Sequence, residues 1–291
     1  MRSFLFSAVF SAFLLVSAPL SAAPSPGSRA DVLRQAEHSM RVTGTLHIET
    51  DGRVSDVLVD KPDQVPEGVL RFVRQSAAAW QFEPVQIDGQ THAVKSPMSI
   101  RLVARQLDDG GYELAIRSVH FGDNGNTSGL EKKKMKPPQY PEKAWRAGAF
   151  GTVFLLLKIN REGTVEDVVA EQVNLGFADR ERVMQDFRQL FAQNAVAAAR
   201  KWTYVTPSEG EQAQQPYWVV RVPIEYSLRT QTDDQRDDYG KWRAYVPGPR
   251  QTPQWREVTD APGFSPDALG NGIFLAGTNT GPKLLTPLDG N

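Results

Sequence analysis

The 291-residue sequence contains no cysteine, and this absence excludes several kinds of protein at once. Without a thiol the chain forms no disulfide, offers no thiolate nucleophile and holds no metal through sulfur ligands. A lipid anchor of the lipoprotein type is excluded as well, because that modification needs a cysteine at the cleavage point.

The sequence also lacks the usual motifs of catalytic and metal sites. Its four histidines form no HExxH pair, and no GxxxxGK(S/T) phosphate loop occurs. Residues 125–129 mimic a nucleophile elbow but carry Thr127 at its centre. The acidic run at 233–238 lacks the glycine and the final glutamate of a calcium loop. We therefore predict a protein that is not an enzyme and that uses no cofactor or metal. An envelope hydrolase is the weakest alternative.

Neither a strong charge excess nor a long apolar run is present. The chain has 33 Lys and Arg against 34 Asp and Glu, and this balance argues against a nucleic-acid partner, which favours a clustered basic face. The first apolar run, residues 4–16, is interrupted by serines and followed by Pro19, so it falls short of a span of ~20 residues. With Arg2 before it and Ser21-Ala22-Ala23 after it, the run predicts a signal peptide over residues 1–22.

What the sequence does contain is clearest between residues 138 and 228. The predicted order is a Tyr140-Pro141 turn, a short helix ended by Gly148, an apolar strand at 151–160, a turn at Gly163, a strand at 164–170, a helix at 179–202 and a strand at 218–228. The last strand alternates apolar and polar residues, as a strand with one buried face does. Because Trp202 ends the apolar stripe of the helix, we predict it in the core.

The first half of the chain repeats this pattern in a shorter form. Four segments occur in the same order in both halves: 44–48 with 151–153, 51–57 with 162–168, 79–82 with 201–204, and 97–100 with 223–226. Trp80 is the counterpart of Trp202 and is also predicted in the core. The first half differs by an added hairpin around 101–117, and a short helix from Asp31 to Met40, with Asp31 as its N-cap, is expected before the repeat.

This order of motifs resembles the C-terminal domain of the TonB family. The resemblance rests on Tyr140-Pro141, Ala144, Gly148, Gly151, Gly163, Arg200-Lys201-Trp202 and the strand from Val220 to Leu228. It implies an α+β fold with two small TonB C-terminal-like domains, each an antiparallel sheet with a helix packed on one face. We expect a divergent copy at 31–121, a flexible linker at 122–137, the second copy at 138–228 and a polar, partly disordered tail at 229–291. Trp242, Tyr245 and Trp255 are expected to pin part of this tail onto the second domain.

The resemblance also implies a function. Members of the family bind a periplasmic segment of outer-membrane receptors as an added strand, a mode called β-augmentation. Carried over to this sequence, it implies partner contacts at Pro138, Gln139, Tyr140 and Pro141. It places the mature chain in a bacterial periplasm, as an energy-transducer-like protein linked to TonB-dependent transport. An uncleaved leader that anchors the chain in the inner membrane is the alternative.

The residues themselves point to a strand edge. Pro223 has no N–H to give to a sheet ladder and is therefore expected at an edge, with Val219, Arg221 and Glu225 as outward neighbours that contact a partner strand. A protected edge is the alternative, in which the proline only discourages aggregation. Two alternatives to partner binding therefore remain: a structural envelope protein whose sheet edges pair with each other, and a homodimer that forms through those edges. The sequence shows no evident small-molecule substrate.

Overall fold

The structure is a computed structural model that describes residues 27–106, 111–122, 129–209, 211–228, 239–255, 260, 264–270, 272–276 and 281–288. The predicted leader, residues 123–128 of the predicted linker and the acidic run at 233–238 lie outside these ranges. Within them, no helix is both long and apolar enough to cross a membrane.

The chain folds as α+β with antiparallel sheets and few helices. In chain order the helices and strands are α1 (Arg29–Arg34), β1 (Glu37–Ile48), β2 (Val54–Val59), α2 (Glu67–Ala78), β3 (Gln86–Ile87), β4 (Gln90–Thr91), β5 (Val94–Gln106), β6 (Tyr112–Phe121), β7 (Glu131–Lys134), α3 (Glu142–Arg146), β8 (Gly151–Asn160), β9 (Val165–Leu175), α4 (Glu181–Ala199), β10 (Thr203–Val205), β11 (Tyr217–Tyr226), β12 (Arg243–Tyr245) and β13 (Phe274–Leu275).

Two sheet-plus-helix units account for most of the chain. In the first unit the strands lie in the order β2-β1-β5-β6, and α2 packs on the sheet through Val69, Val73 and Ala77. In the second unit the order is β9-β8-β11, and α4 lies across the sheet with Phe191 among its buried residues. Each core is an apolar cluster between one helix and one sheet face, as small two-layer domains require.

The two units share a turn of the same geometry. Gly52 and Gly163 both have positive φ, at 83° and 77°. The carbonyl of each glycine accepts a hydrogen bond from a residue that follows the helix of its unit, Phe82 N at 2.8 Å for Gly52 and Tyr204 N at 2.7 Å for Gly163. A Cβ on Gly52 would lie 2.0 Å from the carbonyl oxygen of Phe82, and a Cβ on Gly163 would lie 2.0 Å from that of Tyr204. Both turns therefore need glycine for conformation and for close approach.

The two predicted core tryptophans are confirmed. Trp80 retains 4% of its accessible surface and Trp202 only 1%. The indole N–H of Trp202 donates to the carbonyl of Lys136 at 2.8 Å, so its polar group is satisfied although it is buried.

The helix starts differ from the sequence prediction. The helix expected from Asp31 begins at Arg29, because Ser28 and Asp31 form a capping box in which each side chain accepts from the other's backbone N–H. It ends at Arg34, and β1 follows from Glu37 with Met40, Val42, Leu46 and Ile48 alternately buried. The helix expected from Asp179 begins at Glu181 and has no side-chain cap.

Part of the expected linker is a strand. Residues 131–134, which include three lysines, form β7 and pair with β10 beyond the end of α4. All four side chains are exposed, and lysines on a short edge strand discourage further strand pairing. Leu130 just before it is fully buried in the core of the second unit. The second unit therefore begins before Pro138.

The C-terminal segment contacts both units, whereas the sequence predicted anchoring on the second unit alone. β12 pairs with β1 of the first unit, and Trp242 packs against the first core. One residue after β12, Val246 exchanges two backbone hydrogen bonds with Leu175 of the second unit, at 2.7 and 3.1 Å. Residues 283–285 then return to the first unit at Gln81 and Glu83.

Candidate partner-binding edge

Strand β11 is the element that carries most of the predicted contact residues. It pairs with β8 along its whole length, from Tyr217 to Tyr226, without a register shift. The carbonyl of Val219 accepts from Ala276 N at 2.7 Å, on the side away from β8. Because backbone groups alternate sides along a strand, residues 221, 223 and 225 face that same outer edge. The missing N–H of Pro223 therefore leaves no gap in the ladder between β8 and β11.

The outer edge of β11 is not free along its whole length. Phe274 and Leu275 of β13 pair with Arg221 and Val220. The expectation of an open edge from Val219 to Glu225 is therefore wrong for its first half, which the chain covers with its own C-terminal segment. The second half, from Pro223 onward, borders a cavity.

Arg221 is buried, contrary to the prediction that its side chain points outward. It retains 2% of its accessible surface and forms two hydrogen bonds with Glu171, Nε to Oε2 at 2.6 Å and Nη2 to Oε1 at 2.9 Å. A third bond, at 2.8 Å, reaches Asp260 Oδ2. Arg250 approaches the same two carboxylates, and Phe264 stacks on the Arg221 guanidinium at 4.6 Å.

The other predicted edge residues differ in exposure. Val219 and Pro223 are half-buried, whereas Glu225 is exposed. The Glu225 carboxylate lies 3.4 Å from Nη1 of Arg243, which belongs to β12. Glu225 therefore ties the edge to the C-terminal segment through a partly exposed ion pair, a type that contributes little to stability.

The Pro138–Pro141 segment meets β11 through Tyr140. The Tyr140 ring packs edge-on against Tyr226 of β11 at 5.6 Å and against Phe191 of α4 at 6.1 Å. Its hydroxyl donates to the carbonyl of Ala149, and desolvation raises the pKa of Tyr140 to about 12. Tyr140 is thus partly a core residue, while Gln139 beside it is exposed. The structure brings Tyr140 to the Pro223 end of β11, not to its Val219 end.

A cavity of about 1260 Å³ lies between the two units at this end of the strand. One wall consists of Pro223, Glu225 and Ser227 together with Phe150 at the start of β8. The opposite wall comes from Ser39, Arg41, Thr43 and Arg101 of the first sheet, and Arg243 and Tyr245 of β12 complete it. An extended segment laid along the Pro223 half of the edge would thus enter a polar groove.

The sequence alone does not identify the residues of the first unit that line this cavity. Arg41 alternates with buried Met40 and Val42, so the strand pattern does place it on the face away from the core. Nothing local indicates that a second unit covers that face. Among the described residues, no cluster of three or more His, Asp or Glu side chains is arranged to hold a metal.

Comparison with known proteins identifies two similar sequences. Both are named Protein TonB, from Xanthomonas campestris pv. campestris strains B100 and ATCC 33913, and each is 32% identical over 106 residues. The match covers 36% of this chain and 41% of each relative, so the chain contains a TonB-like region but spans about two fifths of the relatives' length. No family model matches the chain. No solved structure matches it either.

Proposed function

We propose that this protein is a TonB-like protein of the cell envelope that binds a partner protein by strand addition at the Pro223 half of β11. The observation that carries the proposal is the position of Pro223, whose backbone faces a groove at the sheet edge. A strand added there would draw its affinity from main-chain hydrogen bonds and its selectivity from side chains in the groove. The partner class that the TonB-like region suggests is an outer-membrane receptor of TonB-dependent transport.

The two units are, in this proposal, diverged copies of one TonB-like domain. The matching glycine turns at Gly52 and Gly163 and the same hairpin, helix and strand order support this origin. The copies are not equivalent as binding sites. In the first unit the strand that corresponds to β11 is β5, and its outer edge is filled by β6 over nine paired positions. Strand addition is therefore assigned to the second unit alone.

Peptide titration followed by NMR tests the proposal. The probe is a set of peptides taken from the periplasmic receptor segment that TonB-family domains bind, which is called the TonB box. These peptides are added to the isotope-labelled full-length mature chain. We expect amide shifts at 224–227 and at Gln139 and Tyr140. Glu225→Pro removes one outward N–H and should weaken binding about twofold to tenfold, the range for one hydrogen bond. Glu225→Ala keeps that N–H and serves as the matched control.

Two results would show that the Pro223 half of β11 does not bind a peptide by strand addition. Equal affinities of Glu225→Pro and Glu225→Ala, with both variants melting like the parent chain, would show that the main chain of this edge does not bind the peptide. If no peptide shifts these amides and they exchange slowly in the free protein, the edge is closed.

A closed edge would favour the second candidate, a structural envelope protein with self-paired strands. The observation in its favour is that β12 and β13 of the C-terminal segment already extend the sheets of both units.

A further inference from the structure

The cavity between the units carries more positive than negative charge. Five basic side chains line it, Arg41, Lys61, Arg101, Lys241 and Arg243, against three acidic ones. The whole chain, in contrast, has a net charge of −1. A concave surface lined mainly by one sign of charge concentrates ligands of the opposite sign.

We propose that this cavity selects extended segments that carry an acidic side chain, and that Arg41 binds the carboxylate. The inference rests on the proposed strand addition at Pro223 and names the chemistry that the bound segment must have. Side chains of an added strand project alternately to the two faces of the sheet, so one set would face the first unit across the cavity.

Arg41 is the basic residue whose surroundings fit this role. It lies directly opposite Arg101 in the pairing of β1 with β5, and like charges at such positions repel. Arg101 has a carboxylate nearby, since its Nε is 3.8 Å from Asp267 Oδ2, and it stacks on Tyr245 at 4.7 Å. Arg41 instead donates to a neutral acceptor, the carbonyl of Leu269, at 3.3 Å. In the described ranges, no carboxylate lies within ion-pair distance of Arg41.

The electrostatic setting supports the same assignment. Desolvation, and then the charges of Arg101 and Arg243, lower the pKa of Arg41. The charge of Glu225 across the cavity acts on this pKa in the opposite direction without outweighing them. The Arg41 side chain nevertheless keeps contact with solvent, so a ligand can reach it. Glu225 already offsets part of the repulsion among the three arginines through its ion pair with Arg243, and a carboxylate placed beside Arg41 would offset more of it. The planar guanidinium can also bind both oxygens of a carboxylate, which adds directional selectivity.

Close packing holds Arg41 in place without neutralising it. A Cβ on Gly270 would lie 3.0 Å from Arg41 Nη1, so the backbone of residues 269–270 passes directly over the guanidinium. That backbone is fixed in turn by Ser99, whose hydroxyl donates to Ala268 O at 2.8 Å. Arg41 is therefore oriented by neutral groups before any partner binds, which lowers the entropy cost of binding.

The experiment compares two peptide sets with the full-length mature chain. The probes are blocked hexapeptides of alternating valine and threonine, each with one glutamate at a different position, and a matching set with glutamine. By calorimetry at low salt, we expect at least one glutamate position to bind about fivefold to tenfold more tightly than its glutamine counterpart. The preference should shrink as salt is added.

Variants then assign the preference to a residue. Arg41→Gln should abolish it, and Arg41→Lys should retain part of it because the charge is kept. Arg74→Gln, an exposed position on α2, is the control and should leave it intact. Thermal melting of each variant checks the fold.

The remaining outcomes separate this inference from the function on which it rests. If glutamate and glutamine peptides bind equally, strand addition stands and the acidic preference is wrong. If N-acetylglutamate alone binds as tightly as the best peptide, the cavity is a small-anion site and the inference is overturned. If neither peptide set binds, both the inference and the proposed strand addition fail.

Discussion

At the scale of single residues, Arg221 shows how an alternating pattern can mislead. Its strand alternates polar and apolar residues, which normally means one face in water. The partners that bury Arg221 are Glu171, 50 residues before it, and Asp260, 39 residues after it. No local pattern reports such distant partners, so a buried charge network looks like a solvated face in the sequence.

We predict that Arg221→Ala destabilises the second unit by about 3 kcal/mol, the low end of the range for breaking a buried ion pair. Arg221 bonds both carboxylate oxygens of Glu171, whereas Arg250, which would remain, bonds Oε1 alone. The expected loss of about 3 kcal/mol is well above the roughly 1 kcal/mol expected for loss of a typical exposed contact. The control is Arg146→Ala, which removes an ion pair with Glu142 whose two side chains are 76% and 77% exposed. Chemical denaturation measures both variants. Equal midpoints would show that the network around Glu171 contributes nothing specific.

Other residues could be predicted because their physical reasons are local. Trp80 and Trp202 end apolar helical stripes, and Gly52, Gly148 and Gly163 sit at turns that require positive φ. Each of these features depends on neighbours within about one or two helical turns. Tyr140 was assigned to partner contact by resemblance, and its packing on Phe191 and Tyr226 gives it a structural role in addition.

At the scale of secondary-structure elements, β13 limits access to the proposed binding edge. It consists of two residues, which is too short for a periodic pattern, so the sequence predicts only a polar, partly disordered tail here. Phe274 is nonetheless 2% exposed, and its neighbours Ile273 and Ala276 are buried as well. A short apolar group inside a polar tail is the one sequence signal that could have indicated docking.

Ala276→Pro should loosen this element, since proline removes the N–H that bonds to Val219 O at 2.7 Å. We expect the amide of Arg221, which pairs with Phe274 of β13, to exchange with solvent about tenfold faster, as the loss of one hydrogen bond allows. Ala276→Gly keeps the N–H and is the control. If a partner strand competes with β13, peptide affinity will rise in the proline variant only. Unchanged exchange in both variants would mean that β13 is held mainly by side-chain packing.

At the scale of the whole molecule, both ends of the described chain tie the units together. The C-terminal segment joins β1 to Leu175, as described above, and α1 packs on the second unit although it precedes the first. Val32 of α1 is fully buried in the second core, and Arg29 donates to Ala178 O at 3.0 Å. The α+β class and most elements could be predicted from periodicity. These long-range attachments could not, because they depend on surfaces formed only after each unit folds.

The attachment of α1 to the second unit limits how far the folded protein could lie from the membrane if the leader stayed uncleaved. Glu181 N, at the start of α4, donates to Gly27 O at 3.0 Å, so residue 27 is held on the second unit. Ten residues, 17–26, separate Gly27 from the apolar run at 4–16 of the predicted leader, and fully extended they would span at most about 36 Å. A chain anchored by an uncleaved leader would therefore be tethered within about 36 Å of the inner membrane, whereas a chain without the leader could diffuse to an outer-membrane receptor.

For this reason we expect the leader to be removed if the proposed function is right. Sequencing the N-terminus of protein isolated from cells should give a chain that starts near Ala23, recovered from the periplasmic fraction. Replacing Ala22 by a bulky residue, as in Ala22→Trp, should block cleavage and move the protein to the membrane fraction, whereas Ser28→Ala, beyond the cleavage zone, should not. An intact Met1 in the parent protein would contradict the prediction. It would favour the alternative in which an uncleaved leader anchors an energy-transducer-like protein in the inner membrane.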